Sequence, residues 1–64
     1  MDYRYIVRFV RADGKADEEY FYHRELEARY HLELFRDDDS GLYRYIELCS
    51  YDKPEEAIET IFFE

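Results

Sequence analysis

The chain opens on alternation. Tyr3, Tyr5, Val7 and Phe9 fall in one parity class, with Arg4, Ile6, Arg8 and Val10 in the other, and this pattern predicts a strand over Tyr3–Val10. Both classes are partly apolar, which suits a central strand whose arginine stems lie across neighbouring side chains. Asp13-Gly14 predicts a tight turn, because glycine accepts positive φ and aspartate bonds nearby backbone. The next stretch, Asp17–Leu26, fits two readings: a short helix capped by Asp17, or a strand with Tyr20 and Tyr22 on one face. From Leu26 the even positions Leu26, Ala28, Tyr30, Leu32 and Leu34 are all apolar. They alternate with Glu25, Glu27, Arg29, His31 and Glu33, so the strand reading is preferred throughout.

Asp37–Gly41 then predicts a turn, and Leu42–Tyr51 alternates as another strand. The period changes in the tail. Asp52 can cap a helix, Pro54 suits its first turn, and Glu55 stands where a capping-box carboxylate belongs. Ala57, Ile58, Ile61 and Phe62 follow at helical spacing. The expected class is therefore α+β: an antiparallel three- or four-stranded sheet packed against one C-terminal helix, in the order ββββα. A helical middle segment would instead give β-α-β-β-α.

Length limits what this pattern can support. Sixty-four residues form one domain, residues 1–64, with one small core. Cys49 is the only cysteine, so no intramolecular disulfide can staple that core; a buried thiol suits a reducing, cytoplasmic setting. A second subunit is the remaining support, and a homodimer is expected. No apolar run reaches 18 residues and the start lacks a signal-peptide h-region, so neither a membrane span nor export is expected.

Charge narrows the function classes. The formal charge is −8 with histidine neutral. Residues 1–16 hold four bases against two acids, whereas the rest of the chain holds fifteen acids against five bases. An acidic field of this kind opposes unassisted binding to nucleic acid or to an anionic membrane.

Candidate chemistry is sparse. His23 and His31 lie eight residues apart with no recognised metal spacing, although His31 and Glu33 would share a strand face. A Cys49–histidine pair would lack an identifiable oxyanion hole. The acidic turn Asp37-Asp38-Asp39-Ser40-Gly41 is too short for an EF-hand series. No catalytic residue, metal ligand or cofactor is assigned, and an enzyme is not expected.

Eight tyrosines offer more. Tyrosine supplies apolar contact area and a hydrogen-bonding tip at low entropic cost, and one helix cannot cover both faces of a sheet. The expected function is a noncatalytic protein-interaction module, a small regulator or inhibitor. Its contacts would be Tyr20, Tyr22, Tyr30, Tyr43 and Tyr45, with Glu25, Glu27 and Glu33 as an acidic rim facing a basic partner surface. Two alternatives accompany it. Glu25 and Glu27 on a strand would be about 6.8 Å apart, close to two duplex rises, which suggests a nucleic-acid mimic. Arg4, Arg8 and Arg11 among Tyr3, Tyr5 and Phe9 would instead suit single-stranded nucleic acid directly.

Overall fold

The computed structural model describes residues 2–63. Their elements are β1 (Tyr5–Arg11), β2 (Glu18–Tyr22), α1 (Glu25–Leu34), β3 (Tyr43–Ser50) and β4 (Lys53–Phe62). The strands form one antiparallel sheet in the spatial order β2-β1-β3-β4. The class is α+β with a four-stranded sheet, but the chain order is ββαββ. The helix lies in the middle and the tail is a strand.

Two expectations are corrected here. Residues 25–34 are a helix because their apolar positions also repeat at i, i+4, and Glu, Leu, Ala and Arg are strong helix formers. No β-branched residue occurs between Tyr22 and Tyr43 to favour a strand. The helix divides the even-numbered run in two. Ala28 and Leu32 face the core, and Leu26, Tyr30 and Leu34 point to solvent.

The tail is the reverse case. Ile58, Thr60 and Ile61 favour a strand, and Ile61 pairs with Ile46 beside the buried core. Irregular pairing opposite Leu48, Cys49 and Ser50 shifts the parity of β4 and produces the helix-like spacing. Asp52, expected as a helix cap, lies with Tyr51 in the tight turn joining β3 to β4, whose ends pair as Ser50 with Lys53.

Other local expectations match. β1 is the central strand that its two-faced apolar pattern requires, and it pairs with β2 and β3. Gly14 has φ +81° in the turn after β1, where the Asp13 carboxylate accepts the Lys15 backbone N–H. Gly41 has φ +77° just before β3. The turn over Asp37–Gly41 connects helix to strand instead of two strands. Asp38 accepts the Ser40 hydroxyl at 2.6 Å, and the Ser40 hydroxyl oxygen accepts the Leu42 N–H at 3.2 Å.

The core lies between the helix and one sheet face. Val7, Phe9, Ala28, Leu32, Ile46, Leu48 and Ile61 form it, with Tyr5, Tyr22, Phe35, Tyr43 and Phe63 at its margin. Among the described residues no helix covers the opposite face, which is closed in part by its own side chains. Ile6 and Cys49 pair directly across β1 and β3 and are both buried. Phe21 packs against Tyr3 and Tyr51, with ring centroids 5.5 and 5.9 Å apart. Beside them the Arg8 guanidinium bonds Glu19 at 2.9 Å, Glu47 at 2.6 Å and the Pro54 carbonyl at 3.3 Å. Burial disfavours that cation, and the bonds to Glu19 and Glu47 outweigh it, raising the Arg8 pKa.

Candidate functional site

The candidate contact residues do not share one sheet face. Tyr20 and Tyr22 stand on the helix side of β2, Tyr43 stands on the same side of β3, and Tyr45 lies on the opposite face against Phe62. Tyr30 is on the helix and points away from the sheet. Their exposure also differs. Tyr20 and Tyr30 are exposed, whereas Tyr22, Tyr43 and Tyr45 are half-buried. Tyr43 packs on Phe9 and Phe35 with the Arg11 guanidinium over its ring, so most of its area serves the fold.

The three acids separate similarly. Glu25 bonds Arg29 one turn on, and Glu33 bonds Arg36, which keeps the Glu33 carboxyl below the ordinary glutamate range. Glu27 has no ion pair among the described residues.

What the structure does bring together is Tyr22, Glu27 and Tyr30, joined by Leu26, His31 and Leu34. These six line an open groove of about 460 Å³ between α1 and the end of β2. Leu26, Tyr30 and Leu34 occupy successive turns and are 81%, 67% and 61% exposed. The signal for Leu26 and Leu34 is their i, i+4 spacing around Tyr30, which alternation conceals. The helix has no need of this stripe for folding, because Ala28 and Leu32 already dock it.

The floor of the groove is polar at one point. The Tyr22 hydroxyl and His31 Nδ1 share a hydrogen bond of 2.6 Å. The His31 ring also packs edge-on against Tyr20, at 4.9 Å between centroids. Burial lowers the His31 pKa, and burial together with the Glu27 charge raises that of Tyr22. Both groups stay neutral at pH 7.

This lowered pKa gives a pH dependence. Below the ordinary histidine value of 6.5 the unfolded chain takes up the proton before the folded chain does. The contribution of neutral His31 is thus complete above that pH, and it declines on acidification until the folded-state pKa is passed. Urea midpoints measured between pH 7 and pH 5 should fall for the native chain and fall less for His31→Gln.

The alternatives meet specific obstacles. On a helix, Glu25 and Glu27 rise only about 3 Å apart and point in different directions, so the strand spacing behind nucleic-acid mimicry is absent. Arg11 is held by Asp13 and Glu18 at 2.6 Å each, and Arg8 by Glu19 and Glu47, so both guanidiniums are engaged within the chain. Arg4 is exposed and has no ion pair among the described residues. Cys49 lies on the sheet face away from His31, and burial raises its thiol pKa, which disfavours the thiolate. Among the described residues no cluster of three His, Cys, Asp or Glu side chains is arranged to hold a metal, and no helix is long and apolar enough to cross a membrane. No family model, curated protein or solved structure matches the chain.

Proposed function

We propose that the chain is a noncatalytic protein-interaction module that docks its partner on the outer stripe of α1 and the groove beside it. The observation that carries this reading is the exposure of Leu26, Tyr30 and Leu34 on consecutive turns of a helix that docks on the sheet through Ala28 and Leu32. A row at i, i+4, i+8 is the spacing by which helices dock apolar grooves and segments. Tyrosine is a frequent anchor of such contacts, and the flanking leucines add apolar area to be buried.

Charge selects the partner. Glu27 borders the groove, and the Asp37-Asp38-Asp39 turn follows the C-terminal end of the helix. The fitting partner presents an apolar segment flanked by lysine or arginine, drawn in by the acidic field. A regulator or inhibitor acting in a reducing compartment is consistent with this arrangement.

Paired variants test the proposal. Leu26→Gln with Leu34→Gln keeps good helix formers at both positions, so stability should change by less than about 0.5 kcal/mol. Affinity purification from the native host with the wild-type chain identifies the retained partner. Its binding should weaken by at least about thirtyfold in the double variant, as expected for loss of two anchors. Phe62→Gln, on the opposite sheet face, should bind like the wild type. A partner held equally by the stripe variant and lost with Phe62→Gln would place docking elsewhere.

A further inference from the structure

The two edges of the sheet are built differently. β4 is guarded: it carries Lys53, Pro54, Glu55 and Glu56, and its pairing with β3 is interrupted twice. Charges, proline and bulges are the devices that keep a sheet edge from pairing with another chain. β2 has none of these irregularities. All five of its residues pair with β1 in unbroken register. Its two acids, Glu18 and Glu19, are compensated within the same chain by Arg11 and Arg8.

The backbone direction of this edge follows from the ladder. Arg4 N–H donates to the Tyr22 carbonyl at 3.0 Å, so Tyr22 is directed toward β1. By alternation Tyr20 and Glu18 are directed the same way, which leaves the N–H and C=O groups of Glu19 and Phe21 facing outward. A second antiparallel strand can therefore bond at residues 19 and 21.

The sequence of this segment complements itself. Asp17-Glu18-Glu19 precedes Tyr20, and Phe21-Tyr22-His23-Arg24 follows it. When the segment is paired antiparallel with its own copy about Tyr20, Glu19 meets Phe21, Glu18 meets Tyr22 and Asp17 meets His23. Arg24 then lies diagonal to Glu18 of the other chain, within reach of its long side chain. No acid lies directly opposite an acid; the two Glu19 side chains are diagonal neighbours, each bonded to Arg8 of its own chain. A register centred on Glu19 would instead oppose two carboxylates directly.

We infer that the β2 edge is a homodimer interface, with two copies pairing antiparallel about Tyr20 into one eight-stranded sheet. The two-fold axis sets both helices on the same face. α1 lies across β2, β1 and β3. Helices centred over β1 would be about 14 Å apart, three strand spacings of the usual ~4.8 Å, which is wider than direct helix packing at 8–10 Å. The groove side of each helix, bordered by Tyr22, turns toward the other copy, so the dimer narrows the approach to the Leu26–Tyr30–Leu34 stripe without direct helix packing.

Sedimentation equilibrium of the full chain, at micromolar to millimolar concentration, tests the inference. The wild type should weigh twice its 8.0 kDa protomer. Phe21→Pro removes an outward N–H and keeps the β1 ladder, so it should yield folded monomer by circular dichroism. Ala57→Pro, on the other edge strand, should remain dimeric.

Arg24→Glu should weaken association by about tenfold or more, since it sets carboxylates near each other twice per dimer. Glu18→Arg should weaken it likewise by facing Arg24 of the other chain with a cation. Their combination should restore affinity to within about threefold of the wild type, a recovery that misfolding cannot mimic. A wild-type monomer at millimolar concentration would overturn the inference. So would a dimer indifferent to Phe21→Pro, or a double variant weaker than either single one.

Discussion

Phe9→Ala is expected to unfold most of the molecules at 25 °C. Phe9 sits where the sheet, the helix and the turn after the helix converge. Its ring centroid is 5.5 Å from Tyr20, 5.1 Å from His31, 4.9 Å from Phe35 and 5.0 Å from Tyr43. Truncation removes the transfer energy of a buried ring and leaves a cavity that four aromatic neighbours cannot all fill, a loss of about 3–5 kcal/mol. A core of this size rarely supplies more than about 3–5 kcal/mol in total. Far-ultraviolet circular dichroism and urea titration should show a largely unfolded chain. Phe62→Ala, at a ring that is 74% exposed, should stay within about 0.5 kcal/mol of the wild type. Similar losses at both positions would mean that the core is not on the helix side of the sheet.

Tyr30→Pro is the second large effect. Proline there removes the hydrogen bond to the Leu26 carbonyl and collides with it, at a cost of about 3 kcal/mol or more. The helix also delivers Ala28 and Leu32 to the core, so breaking it exposes the Val7–Leu48 surface beneath. Tyr30→Ala should be neutral or slightly stabilising, because the ring is exposed and alanine is the best helix former. Urea midpoints for the two variants should therefore move in opposite directions, or only the proline variant should move. Equal destabilisation by both would mean that the Tyr30 ring is packed.

The same residue shows why the sequence was legible in some places and not in others. β1 and β3 were readable because the alternation within their own residues survives the pairing shifts at Val10/Arg11 and beyond Leu48. Segment 26–34 was not, because apolar residues at every even position satisfy both a period of two and an i, i+4 repeat. Local composition could have decided between them: the segment is rich in helix formers and lacks β-branched residues. The tail failed for the opposite reason. Its pairing irregularities opposite Leu48 and Cys49 displace Ala57 and Ile58 from strand parity, and Asp52-Lys53-Pro54-Glu55 imitates a capped helix start.

The candidate site inherited these errors. Tyr22, Tyr30 and Glu27 were identifiable as surface-chemistry residues, but alternation grouped Tyr30 with Ala28 and Leu32, which are buried. Leu26 and Leu34 fell in that same even-numbered row and were not singled out as contacts. Only the three-dimensional split of one even-numbered row reveals a docking stripe.

That split can be measured. Methyl NMR of the isolated chain in the presence of a soluble gadolinium chelate reports solvent access at each leucine. Strong relaxation is expected at Leu26 and Leu34 and almost none at Leu32 and Leu48. Equal protection of Leu26, Leu32 and Leu34 would put the whole row inside, and would contradict both the helix and the surface proposed to bind.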